Sequence, residues 1–502
     1  MEREKEQQLY LQPYGICQGA ISIYLALMIA VIIPLILTMI EAGRVNVMKL
    51  QLECAVDMGM DSVLAEYNRP LLEQYDLIFI DLAYGNTVGS LEYLKEHFSD
   101  YVSYNLQPQK ELMITDCRDF LGLQMDSVDV LKASRATDEQ GAVFRYMAVS
   151  YMLNQYGLDY IEDIQDMITY SEQQGFLESD IMSENDAAQS AIDRIEVPPP
   201  EDLEEGEEWQ EPEKDDPTDG LNAFRQQGIL SIVCEGEIST ASIHPENYVT
   251  GRSLVTGNGM EESWPERNQL AESLLFQEYI MEKCGNYREV NESSRLKYET
   301  EYVIAGQNND TDNLRIVAEK LLLIRGGANS LYFFTNREMM AEAKALASSL
   351  SFVLMFPEFE LLFEAAIIAG WIYAESVVDV RHLLSGESVP LVKGAEDWNL
   401  SLENALGLTE DIVSSSSEGE ASGTDEENER FGYKDYLRIL LYTVPMAEKT
   451  GRCMDIVEMN IRQVPGYETF CLDQCVASVT LQMSFSSSYG YSFLMKRNCH
   501  YT

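Results

Sequence analysis

From Ala20 to Ile40 the chain carries no ionisable side chain, and this run constrains the fold more than any other feature. At ~1.5 Å of rise per residue it makes a helix ~30 Å long, the thickness of a bilayer's hydrocarbon core. It exceeds the apolar region of a secretory signal. A small-x-small cleavage site is hard to place after it, because Glu41, Ala42, Gly43 and Arg44 lead straight into more helix. The run therefore reads as an uncleaved signal anchor. Pro34 is compatible with that, since membrane helices tolerate proline better than soluble ones. The competing reading, a buried core helix, fits less well with the charged tail before it and the amphipathic stretch after it.

Arg3 and Lys5 stand among Glu2, Glu4 and Glu6 on one side, and Arg44 and Lys49 on the other, so positive charge alone is close to a tie. The short tail and the acidic bulk of the chain favour an N-terminus inside. Residues 1–18 then form a short cytoplasmic tail, 19–41 a single-pass transmembrane anchor, and the rest an extracellular domain at the cell membrane. Among 502 residues, 84 are acidic and 35 basic, a formal net charge of -49. Such a surface argues against nucleic acid as a partner. The 46% hydrophobic content is ample for packed cores. The nine cysteines show no metal-site spacing; Cys471 and Cys475 are four apart, not a C-x-x-C pair. With Cys17 at the membrane edge, the remaining cysteines permit disulfides outside the cell or serve as buried thiols.

Beyond the anchor, Val45, Met48, Leu52, Val56, Met60 and Val63 recur at three- and four-residue spacing. This predicts an amphipathic helix over 45–67 that continues the anchor as a stem. Its apolar stripe needs a cover, either from this chain's own domain or from a neighbouring subunit. "QYDLIFIDLAYG" (74–85) predicts a strand, 88–102 a helix, and "KELMITDCRDFLGL" (110–123) a second strand. Helical patterns follow over 138–156 and 158–194. Residues 42–195 make the first part of the ectodomain. Residues 196–220 and 411–430 are acidic, rich in proline or serine, and too poor in apolar groups to offset the entropy of ordering. They read as disordered linkers on either side of a second part, 221–410. Within it, "SRLKYETEYVIAG" alternates like a strand, 314–349 reads as helix interrupted at Gly326-Gly327, and 359–384 as a core helix. The uncharged run Ala365 to Ala374 is too short to cross a bilayer. Residues 431–502 complete the domain with two helices and a hairpin. The expected fold class is α+β, helix-dominated.

No chemical motif stands out. His97, His244, His382 and His500 form no paired metal motif, and neither a G-x-S-x-G elbow nor a phosphate loop is present. "NNDTDN" (308–313) offers oxygen ligands for calcium but lacks an EF-hand's glycine and distal glutamate. A helix cap explains it as well. Glu375 and Asp379 share a helix face beside Arg381 and His382; paired carboxylates can do acid-base work, but they also satisfy buried neighbours. Without a nucleophile or second acidic pair, the structural role outweighs catalysis. No catalytic residue, cofactor or metal site is assigned.

"IPLILTMIEAGRV" resembles the N-terminal stem of TadE/TadG-like pseudopilins. The stretch from "IEAGRVNVMKLQLECAVDMGM" to "DLIFID", "LKYETEYVIAG" with "LLLIRGGAN", "AESVVDVRHLLSGESVPLVKGAEDW", "YKDYLRILLY" and "CMDIVEMNIR" resemble an uncharacterised membrane-anchored family of Gram-positive bacteria, a domain of unknown function associated with Tad-type pilus systems. The chain departs from type IV prepilins, whose fifth mature residue is glutamate. A cut after Gly19 places Tyr24 there, and one after Gly15 places Ala20.

The resemblance implies a non-enzymatic surface protein, a minor pseudopilin-like or accessory component of a Tad-like pilus or secretion apparatus. Its partners would be the lipid bilayer and pilin-like subunits or Tad-type assembly proteins. Membrane-helix packing would use Ala26, Ala30, Pro34, Glu41, Ala42, Gly43 and Arg44, the small residues allowing close approach. The alternative is a stand-alone anchored adhesin or ligand-sensing protein.

Overall fold

A computed structural model describes residues 18–106, 121–156, 228–234, 236–353, 360–409, 412–413 and 430–501. The helix expected over 158–194, most of the strand expected over 110–123, and nearly all of both acidic segments lie outside these residues. The fold is α+β with helices dominant. Its two compact units are not consecutive in sequence: one combines Met1–Glu66, Leu91–Leu131 and Thr480–Cys499, the other Tyr67–Ser90, Lys132–Val479 and His500–Thr502.

The first unit is built on α1, Gln18–Leu64, a 47-residue helix in which the uncharged run and the amphipathic stretch after it are continuous, with Pro34 inside. Residues 21–40 are exposed throughout. Further on, Met48, Leu52, Ala55, Val56, Met60 and Val63 are buried. They pack on α3, Leu91–Leu106, whose own stripe is Leu94, Phe98, Val102 and Leu106. Each of the larger side chains taken from water contributes roughly 1.5–3 kcal/mol. The unit also holds most of β2 (Leu123–Arg135), β5 (Cys475–Ser487) and β6 (Ser492–His500). Strands β5 and β6 form the expected hairpin, closed by Ser487 N–H donating to the Tyr491 carbonyl. Gly490, at φ +81°, supplies the left-handed position of the turn.

The second unit is mainly helical. It contains α2 (Arg69–Tyr75), α4 (Asp138–Tyr156), α5 (Ile229–Val233), α6 (Gln269–Lys283), α7 (Glu299–Ala305), α8 (Asp310–Thr335), α9 (Arg337–Val353), α10 (Glu360–Ser385), α11 (Leu402–Leu406), α12 (Tyr433–Thr443) and α13 (Met446–Ile461). The strand expected over 74–85 shrinks to β1, Ile80–Asp81, which pairs antiparallel with Val476 and Cys475 of β5. A two-residue ribbon joins β3 (Val389–Pro390) to β4 (Arg430–Phe431). Helix α10 is a core helix, as its short uncharged run predicts; 72% of its most apolar window is buried.

Two local expectations fail. "LKYETEYVIAG" folds as helix α7, not a strand. Its alternation misleads because Glu299, Thr300 and Glu301 are buried along with Tyr302, Val303 and Ile304. Glu299 accepts from Gly285 N–H, and Glu301 from Tyr287 N–H and the Tyr433 hydroxyl. Nor does Gly326-Gly327 interrupt α8, which continues to Thr335. Arg325 and Asn329, on either side of the glycines, are both hydrogen-bonded to Asp379 of α10 and hold the helix through them. The break comes at Asn336, whose side chain accepts from Glu338 and Met339 N–H to start α9.

Candidate functional site

The stem of α1 is where the sequence places function, and the structure divides its residues into three groups. Ala26, Ala30 and Pro34 lie on the exposed stretch, as do Ala42 and Gly43 further along. A Cβ added to Gly43 would meet nothing within 4 Å. Met48, Leu52, Val56, Met60 and Val63 are buried against α3, with Val45 half-buried at the start of that contact. The cover for this stripe thus comes from the chain itself.

Glu41 and Arg44 form the third group. Glu41 Oε1 accepts from the Tyr491 hydroxyl at 2.7 Å. Its other oxygen pairs with Arg44 at 3.0 Å. The Arg44 guanidinium lies 4.2 Å from the centroid of the Tyr489 ring, a cation–π contact. The hydrogen bond to Glu41 raises the Tyr491 hydroxyl above its ordinary pKa, since the carboxylate stabilises the protonated phenol. The turn of the β5–β6 hairpin therefore grips the helix just past the end of its uncharged run. A second tie lies further along, where Arg497 donates to Asp57 at 3.3 Å.

Three contributors escape the sequence reading. Gly59 lies where α1 meets α3: a Cβ there would come within 2.7 Å of Val102 Cγ2 and 3.2 Å of Phe98 Cε2. Its position within the stripe, three residues after Val56, was the available signal. Tyr489 and Tyr491 flank the turn glycine, and only the fold brings them to α1. At the far end of the contact, Glu66 accepts from the Tyr101 hydroxyl at 2.6 Å and lies 2.9 Å from His97 Nδ1.

The carboxylate pair Glu375 and Asp379 sits in a buried knot of four charges. Arg325 donates to Asp379 at 3.0 Å, to the carbonyls of Pro390 and Leu391, and to the Tyr436 hydroxyl at 2.8 Å. Lys393 bridges Glu375 and Asp379. Asn399 and Leu400 N–H groups donate to Glu375 at 2.8 and 2.9 Å. Burial pushes Asp379 up, but Lys393 and Arg325 outweigh it and hold the carboxyl below its usual range. Burial keeps Glu375 above its own. Both side chains are fully buried, and their oxygens face protein donors or cations. The arrangement clamps α8, α10 and the 389–400 segment together. Nearby, Arg381 donates to the Ile232 carbonyl, and His382 Nδ1 lies 2.5 Å from Glu387.

The acidic motif over 308–313 acts as a cap. Asn309 accepts from Asp312 N–H at 2.8 Å. Asp310 accepts from the Ser239 hydroxyl and Lys297 N–H.

A model of a family of unknown function, DUF5702, matches residues 207–487. That is more than half of the 502 residues, and the chain belongs to this family. No curated protein and no solved structure matches it. The matched region begins beyond α1 and α3.

Proposed function

We propose that this protein is a membrane-anchored, non-enzymatic surface component whose helix α1 both holds it in the bilayer and presents a lateral packing face. In this reading it is an accessory or minor pseudopilin-like part of a Tad-like pilus or secretion apparatus, with its N-terminus cytoplasmic and the folded units outside. The carrying observation is the contrast along α1: 21–40 is uncharged and wholly exposed, whereas the stripe from Met48 to Val63 is filled by α3. An apolar exposed helix of this length suits a bilayer. Ala26, Ala30, Ala42 and Gly43 allow another helix to approach closely. The stem's resemblance to TadE/TadG-like pseudopilins adds the assembly class. The sealed state of Glu375 and Asp379 supports a non-enzymatic role.

Replacing Gly43 with leucine tests the reading. Because the site is open, the folded units should be unaffected. Recovery of the protein in sheared surface filaments should fall sharply, and unchanged recovery would remove the lateral-packing argument. The filled stripe favours a second reading, a stand-alone anchored adhesin or sensor, because it leaves less apolar surface for a neighbour. Full-length protein found only in membranes, and never in filaments, would select it.

A further inference from the structure

We infer that the β5–β6 turn is a membrane-interface collar, with Tyr489 and Tyr491 seated at the level of the lipid headgroups. The inference rests on reading 21–40 as a membrane span. Ile40 is the last residue of the uncharged run. Glu41 and Arg44 follow it, ~1.5 and ~6 Å further along the helix axis. Tyr491 donates to Glu41, and Tyr489 lies beneath Arg44. With 21–40 as the span, these rings are therefore held beside the hydrocarbon boundary. Tyrosine suits that layer: its ring is apolar and its hydroxyl reaches polar groups. Tyr489 is 47% exposed, leaving much of its surface for lipid.

The charges fit the same occupant. Glu41 would be costly at the edge of a bilayer, but Arg44 pairs with it and Tyr491 donates to it. Arg44 stays about one-third exposed and can meet lipid phosphate. The hairpin is tied again at Arg497 and Asp57, so β6 runs alongside the stem away from its turn. Leu494, three residues beyond Tyr491, is then ~10 Å further out. The collar would set how far the stem emerges and resist its sliding into the bilayer.

The test is photo-crosslinking of the full chain in phosphatidylcholine–phosphatidylglycerol vesicles. p-Benzoyl-phenylalanine is placed singly at Tyr489, at Ala30 within the span, and at Leu494. Lipid adducts at 30 and 489, with a sharp loss at 494, are expected. Lipid adducts at 30 but none at 489, or adducts from 489 to a second copy of the chain, would overturn the collar while leaving the span intact. Equal lipid labelling at 489 and 494 would overturn the assignment to the turn. No lipid adduct at 30 would overturn the span and the collar with it. A p-benzoyl-phenylalanine at Tyr491 that labels lipid independently guards against local disturbance at 489.

Discussion

The contact of α1 with α3 and the contact of α8 with α10 are both helix pairs, built from opposite chemistry. The first is an apolar stripe with one glycine at its closest approach. The second is centred on Arg325, Asp379, Glu375 and Lys393, all buried. An apolar stripe draws its stability from area and tolerates exchange among side chains of similar volume. A buried charge knot adds little net energy, because desolvation offsets attraction, but removing one member leaves another charge uncompensated. The two contacts should therefore respond differently to substitution.

The largest effect belongs to the knot. Lys393→Met leaves Glu375 without its cation and should cost about 3–5 kcal/mol, read from denaturant unfolding of the full chain in detergent. Adding Glu375→Leu should recover much of that loss. A small cost for the single change would break the distinction. Next comes Glu301, also buried, which burial raises from 4.5 to about 7. The folded state holds this proton more tightly than the unfolded state. Stability from this group is thus greatest below about pH 4.5 and falls as pH rises towards 7, by about 3 kcal/mol at most. Glu301→Gln should flatten that slope in thermal melts taken across the range, and at pH 8 the variant should be the more stable protein. An unchanged slope would place the titration elsewhere.

The apolar contact should respond more mildly. Gly59→Leu drives a side chain into Val102 and Phe98 and should cost about 1–3 kcal/mol, measurable by the same unfolding experiment. A gain in stability would mean that α3 moves aside freely. The smallest effect is expected for Tyr491→Phe, which removes one partly exposed hydrogen bond to Glu41 and should cost less than about 1 kcal/mol. Its use is to separate the grip on Glu41 from the ring itself.

The same contrast explains what the sequence made legible. The stripe from Met48 to Val63 was readable because helical burial leaves a period in the chain, and the length of the exposed apolar stretch of α1 because an uncharged run counts itself. The hairpin and core helix α10 were readable for the same local reasons. The partners were not: nothing near Glu375 names Lys393 or Arg325, and nothing near Glu41 names Tyr491. At α7 the period itself misled, because acids buried by hydrogen bonds look like exposed positions. The compact units were hidden too, since the first is assembled from three separated segments.

One consequence concerns the order of synthesis. Tyr491 is 450 residues downstream of Glu41. At ~5–20 residues per second, a ribosome takes about 20–90 s to travel between them. Helix α3, the other partner of α1, emerges soon after it. The newborn stem can thus cover its apolar stripe early, while Glu41 and Arg44 wait for nearly the whole chain to be translated. A product truncated before the hairpin would have a stem whose Glu41 and Arg44 were never fastened, giving the cell a physical difference by which to tell it from finished protein.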